Sequence, residues 1–158
     1  MTNRILTAAI GLMLVTVAGP RAVLAQDDDE SAVVKVLLAI AQYSQEGNLG
    51  AMDTLYAAGG GVHIIEGAGV NHGWEDYRDN HLAPELESFE NFQYRYYSIE
   101  PQVRGDVAWS AFRYDLSVDT SRGHTEIEGR GTAVLEKRDG RWQIVHMHTS
   151  GRPKQDGG

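Results

Sequence analysis

Apolar and polar positions recur along this chain with two different periods, and the change of period divides it. From Ser31 to Gln45 the apolar residues Val33, Val34, Val36, Leu37, Leu38, Ile40, Ala41 and Tyr43 fall at helical spacing and predict a largely buried helix. Asp27, Asp28, Asp29 and Glu30 precede it, where the helix dipole favours negative charge, and Gly47 supplies a stop. A second short helix begins at Asn48, with Leu49, Met52, Leu55 and Tyr56 as its apolar face, and ends at Gly59-Gly60-Gly61. Val62 to Glu66 reads as a strand, Gly67 and Gly69 as a turn, and Val70 to His72 as a second short strand. A third helix runs from Gly73 to about Ser88, with Trp74, Tyr77, His81 and Leu82 on one face. Pro84 lies inside that pattern, in a position to kink or shorten the helix.

Beyond Phe92 the period changes to two. Four long alternating runs, 92–103, 107–118, 125–137 and 141–150, are separated by short turns rich in Gly and Asp. Such connections imply hairpins and therefore an antiparallel meander. Helices first and a long sheet afterwards is an α+β arrangement.

The N-terminal segment follows neither period. Arg4 precedes an uncharged apolar run from Ile5 to Ala18, then Gly19-Pro20-Arg21 and Ala22-Val23-Leu24-Ala25, followed at once by acids. These are the parts of a cleavable secretory signal peptide. The expected cut follows Ala25, leaving residues 26–152 as one domain and 153–158 as a disordered tail in a periplasmic or secreted protein. The apolar run is shorter than the ~20 residues that span a bilayer, so no membrane association is expected after cleavage.

Cleavage changes the charge balance. The whole chain carries a net charge of −8; without Arg4 and Arg21 it has 12 basic and 22 acidic residues, a net charge of −10. That surface disfavours nucleic acid as a partner. The chain has no cysteine, which excludes disulfides, thiolate nucleophiles and Cys-based zinc sites.

Three stretches carry a family resemblance. The last run, Gly140-Arg141-Trp142-Gln143-Ile144-Val145-His146-Met147-His148-Thr149-Ser150, is similar to the Gly-x-Trp-x-Ile-x-His-x-His-x-Ser ending of many SnoaL-like domains. Gly73-Trp74-Glu75-Asp76-Tyr77-Arg78-Asp79-Asn80-His81-Leu82 resembles their third helix, and Asp106-Val107-Ala108-Trp109 resembles their Gly-Asp-x-Ala-Trp turn. The resemblance, to the nuclear transport factor 2 and ketosteroid isomerase-like superfamily, covers about residues 31–152. It implies a cone: about three N-terminal helices packed in a strongly curved antiparallel sheet, with a pocket at the open end. It also implies a small-molecule ligand and a homodimer.

His146, His148 and Ser150 share strand parity with Trp142 and Ile144. If those two fill the core, the histidines face the same interior. They then serve as hydrogen-bonded wall residues, as acid–base groups, or as metal ligands with a third from His63 or His81. Tyr77 and His81, one turn apart beside Trp74, either line the pocket or pack with a polar tip. Trp109, Arg113 and Asp115 share parity on the second long run, where a cross-strand ion pair competes with a catalytic role. His63 and Glu66 have opposite parity and so face opposite sides of a regular strand.

The expected site has His146, His148 and Tyr77 as catalytic residues, with His81, Trp74, Trp109, Arg113, Ser150 and His63 binding substrate, and neither metal nor cofactor. The expected function is an exported pocket protein doing acid–base isomerase, lyase or hydrolase chemistry on a small organic molecule. A non-catalytic ligand-binding or dimerisation module is the first alternative. Hydration of carbon dioxide, as in iota-class carbonic anhydrases, is the second; there Met147 replaces the middle residue of a His-His-His run.

Overall fold

The computed structural model describes residues 20–59 and 61–155; residues 1–19, most of the expected leader, lie outside them. Helix α1 spans Pro20–Glu46, so the Ala25–Gln26 bond falls within it. Helix α2 is one turn, Leu49–Met52, with the Asn48 side chain accepting the Ala51 N–H at 3.1 Å as its cap. Strands β1 (His63–Glu66) and β2 (Gly69–His72) form a hairpin. The third helical segment is α3 (Trp74–Tyr77), a π-helical turn (Arg78–Leu82) and α4 (Ala83–Ser88). Then come the long strands β3 (Glu90–Arg104), β4 (Val107–Thr120), β5 (Gly123–Arg138) and β6 (Arg141–Pro153). Strand β6 ends at Pro153, inside the expected tail, and the Lys154 N–H donates to the Glu126 carbonyl at 2.9 Å.

All six strands join one sheet in the order β2-β1-β6-β5-β4-β3. The four long strands form the antiparallel meander that their turns imply, whereas β1 lies parallel to β6. That pairing brings the early hairpin beside the last strand.

Helix α1 packs on the inner face of the sheet, chiefly against β3. Its buried Val33, Leu37 and Ile40 each contribute on the order of 1.5–3 kcal/mol by leaving water. Asp29 fixes its angle: Lys137 Nζ donates to Asp29 Oδ1 at 2.6 Å and Trp142 Nε1 at 3.0 Å. The lysine hydrogen bond, outweighing the cost of burial, holds this carboxyl below its ordinary range.

Three irregularities decide which side chains face inward. On β6, Ile144 pairs with Leu135 but His146 pairs with Val134, so Val145 is an extra residue. Such a bulge exchanges the two faces of everything beyond it. Trp142 and Ile144 are buried before it; Met147 and Thr149 are buried after it. On β3, register shifts fall at Asn91 and Ser98, both with positive φ. Tyr94 and Tyr96 point inward before Ser98, and Val103 is buried beyond it.

Glycines allow the bend. The inner face of β5 is Ile127, Gly129, Gly131, Ala133 and Leu135. A Cβ on Gly131 would lie 2.3 Å from the Phe112 ring, and one on Gly129 2.2 Å from the Tyr114 ring. The rings of β4 lie directly over the backbone of β5. Replacing Gly131 with Ala is therefore expected to destabilise the fold by about 1–3 kcal/mol through overpacking, read as a lowered urea midpoint with unchanged slope.

Candidate functional site

Between the helices and the inner face of the sheet lies a cavity of about 450 Å³. Its walls are apolar and aromatic, with Ile40, Met52, Ile64, Leu82, Phe89, Phe92, Leu116 and Met147 among them. Its polar groups are few: Glu66, Glu85, Arg122 and the hydroxyls of Tyr56, Tyr77, Tyr94, Tyr96, Ser44, Thr120, Thr125 and Thr149. A mostly apolar cleft with a small convergent polar set is the usual form of a small-molecule site.

Of these, Glu66, Glu85 and Tyr77 meet at His81. Its Nε2 lies 3.4 Å from Glu85 Oε1 and 3.7 Å from Glu66 Oε2. Tyr77 donates its hydroxyl to the same Glu66 oxygen at 3.0 Å, and its ring is 5.0 Å from the imidazole. On the other side of the ring, Nδ1 lies 3.1 Å from Asn71 Oδ1. The Asn71 amide nitrogen donates to Asp76 Oδ2 at 3.2 Å, which leaves its oxygen to accept from His81. Nδ1 therefore carries the ring hydrogen, and Nε2 is the remaining ring position. Two carboxylates face that position.

The local sequence explains the placement. Pro84 has no N–H to continue an α-helical ladder, and its ring would press on the carbonyl one turn back. The π-helical turn precedes it, with the Ala83 N–H donating to the Arg78 carbonyl five residues earlier. Single π turns of this kind recur at functional sites. The segment is anchored at its start. Trp74, stacked on Tyr56 at 4.2 Å, donates from Nε1 to Asp53 Oδ1 at 2.6 Å, and Arg78 donates to the same oxygen at 2.8 Å. The Trp74 hydrogen bond is the main reason that the Asp53 carboxyl sits below its usual range.

Glu66 acts on the whole cavity. Burial first, and its negative charge second, push the Tyr77 hydroxyl well above its ordinary range, so that this phenol stays protonated. Burial also raises Tyr56, Tyr94 and Tyr96. The Tyr94 and Tyr96 oxygens are 3.1 Å apart. Two phenols have two protons and only one hydrogen bond between them, so one O–H remains to donate to an oxygen in the cavity.

Of the expected site residues, Tyr77 lines the cavity, His81 meets its Glu66 and Glu85, and Trp74 stacks on its Tyr56. The structure sends the others to the opposite side of the sheet. His146, His148 and Ser150 follow the Val145 bulge and face outward, so the shared face with Trp142 and Ile144 is corrected. Trp109 and Arg113 alternate with the buried Ala108, Phe112 and Tyr114 on β4 and also face outward. His63 stands on the outer face beside His72, with ring centroids 5.2 Å apart. Asp115 makes the cross-strand pair that strand pairing allowed, with Arg95 at 2.6 Å. Among the described residues no group of three His, Asp or Glu side chains is placed to hold a metal ion.

Sequence reasoning missed Glu66, Glu85, Asn71, Tyr94 and Tyr96 as site residues. Two signals were available. Glu85 is four residues beyond His81, a facing distance on a helix, and Glu66 has the parity opposite to His63.

The model of the SnoaL-like domain family matches residues 33–153, and the chain belongs to that family. No curated protein matches the sequence. Several solved structures share the fold. A nuclear transport factor 2-like protein of Salmonella enterica is 17% identical, with a TM-score of 0.70 over 87% of this chain and 97% of its own. A candidate ketosteroid isomerase from Shewanella frigidimarina is 24% identical, with a TM-score of 0.65 over 75% of this chain and 94% of its own. A candidate scytalone dehydratase from Novosphingobium aromaticivorans is 12% identical, with a TM-score of 0.68 over 80% of this chain and 85% of its own. At these identities the likeness establishes the cone fold.

The site has a pH signature. Burial, and next the charge of Glu66, raise the Glu85 carboxyl, and these outweigh the opposing effect of His81. A carboxyl that holds its proton more tightly in the folded chain favours folding at low pH, and that contribution is lost as pH rises through the folded value. Glu85→Gln is therefore expected to raise the thermal midpoint at pH 7 and to leave it unchanged near pH 3. With the side chain 42% exposed, screening keeps the gain small. Paired thermal melts at the two pH values test this.

Proposed function

We propose that this protein is an isomerase or dehydratase of a small, largely apolar, oxygenated molecule, working by proton transfer inside the cone. The observation that carries the proposal is His81 Nε2 held between Glu66 and Glu85, both of which line the cavity. The two reactions share a first step, removal of a proton from carbon beside a carbonyl. Glu66 is the base for that proton, and the free O–H of the Tyr94–Tyr96 pair holds the oxygen on which charge develops. In isomerisation the proton returns at another carbon. In dehydration His81, protonated at Nε2, gives a proton to the departing hydroxyl, which leaves as water. Structural neighbours described as a candidate isomerase and a candidate dehydratase support this pair of reactions.

Cyclic enones and β-hydroxy ketones offered in deuterated water test the proposal, with deuterium uptake and product formation followed by NMR. The wild type is expected to exchange and convert at least one of them. Glu66→Gln and His81→Gln are each expected to slow it by about 100-fold or more, with cooperative unfolding retained. Variants as fast as the wild type would remove these residues from the chemistry. Binding without exchange across the panel would favour the non-catalytic module.

Export is part of the same proposal, supported by the order of charged, apolar and small residues before Gln26. The protein recovered outside the cytoplasm is expected to have the intact mass of residues 26–158; the mass of the full chain would refute cleavage. A homodimer is proposed with it, supported by the exposed Val107 and Trp109 on the outer face of β4, and sedimentation velocity reads it.

A further inference from the structure

The outer face of the sheet carries an arrangement that the cavity chemistry does not use. Arg113 on β4 and Arg130 on β5 are register partners, directly opposite each other. Like charges in that position repel and weaken the ladder. Nearby arginines on this face are compensated: Arg95 pairs with Asp115 and Arg152 with Glu128, both at 2.6 Å, and Arg104 lies over the Trp109 ring. Among the described ion pairs and side-chain hydrogen bonds, none includes Arg113 or Arg130.

The same cross-strand row continues to Ser150 on β6, and His148 follows in the next row, opposite Thr132. Two adjoining outer concavities, of about 350 and 360 Å³, share Arg113, Arg130 and Ser150. One also contains His148 and the carboxylate of Glu100; the other contains Tyr97 and Glu128, whose charge Arg152 already meets. Two uncompensated guanidinium groups side by side, with a hydroxyl and an imidazole beside them, match a doubly charged oxyanion. Guanidinium forks bind such oxygens in pairs. Each concavity has room for an organic group attached to the anion.

We propose that Arg113, Arg130, Ser150 and His148 form a binding site for phosphate or a phosphate monoester on the outer face, separate from the cavity and further along β4 than Val107 and Trp109, on which the proposed contact between copies rests. The bound dianion neutralises the opposed arginines. Calorimetric titration of the full chain with sodium phosphate and with phenyl phosphate, at constant ionic strength, tests it. Both anions are expected to bind. Equal affinities identify free phosphate as the ligand, and tighter binding of phenyl phosphate identifies a monoester. Arg113→Gln and Arg130→Gln are each expected to weaken binding at least tenfold. Without anion, each is expected to raise the thermal midpoint, because the repulsion is gone. Added phosphate should raise the wild-type midpoint more than sodium chloride of equal ionic strength does, and should leave the variants unmoved. Equal shifts with chloride, or unchanged affinity in both variants, would overturn the site. So would variants that alter the sedimentation coefficient while the wild type binds no phosphate; the arginines would then serve contact between copies.

Discussion

The structure depends on a constraint of strand geometry: a long sheet that wraps around a helix cannot keep perfect pairing along its length. It bends here by two devices. Phe112 and Tyr114 lie over Gly131 and Gly129, where no Cβ stands in their way. Single extra residues at Asn91, Ser98 and Val145 take up the mismatch between neighbouring strands. Each extra residue also exchanges the inner and outer faces beyond it. Curvature and the identity of the cavity wall are therefore set together. The bulge that completes the cone also places Met147 and Thr149 inside and His146, His148 and Ser150 outside.

The polar part of the cavity follows from what that wall excludes. In an apolar enclosure a carboxylate acts over a longer range than in water, because little solvent screens it. Glu66 is the example: its charge is felt at Tyr56, Tyr77, Tyr94 and Tyr96 and at Glu85. It adds to burial, the larger cause, in keeping these phenols protonated and in raising the Glu85 carboxyl. Hydrogen-bond donors held neutral beside a carboxylate and an imidazole are what proton transfer at carbon requires. Asp76 and Asn71 support this from outside the cavity by fixing which imidazole nitrogen bears the permanent hydrogen. The two faces of one sheet thus carry different chemistries, carboxylate-rich within and, at one place, arginine-rich without.

Much of the fold was legible in the sequence. The helices came from period 3.6, the four long strands from period two and their Gly- and Asp-containing turns, and the family from the residues of β6 and α3. These signals are local, and local geometry generates them. The shared face of Trp74, Tyr77 and His81 was legible as well, because on a short helical segment it follows from spacing.

The rest of the site was not legible, for a physical reason. Alternation assigns a face only while the register is unbroken, and nothing in Ile144-Val145-His146 marks Val145 as the extra residue. The extra residue exists because β6 must follow β5 around the bend, and that is a property of the whole sheet. Likewise Glu66 meets His81 only because β1 lies parallel to β6 and carries its hairpin against the third helical segment. By itself the sequence determined the kinds of element, their order and their family. Tertiary structure decided which face each long strand turns inward, and with it placed the histidines of β6 on the outer face and a carboxylate of β1 beside a histidine at the π-helical turn.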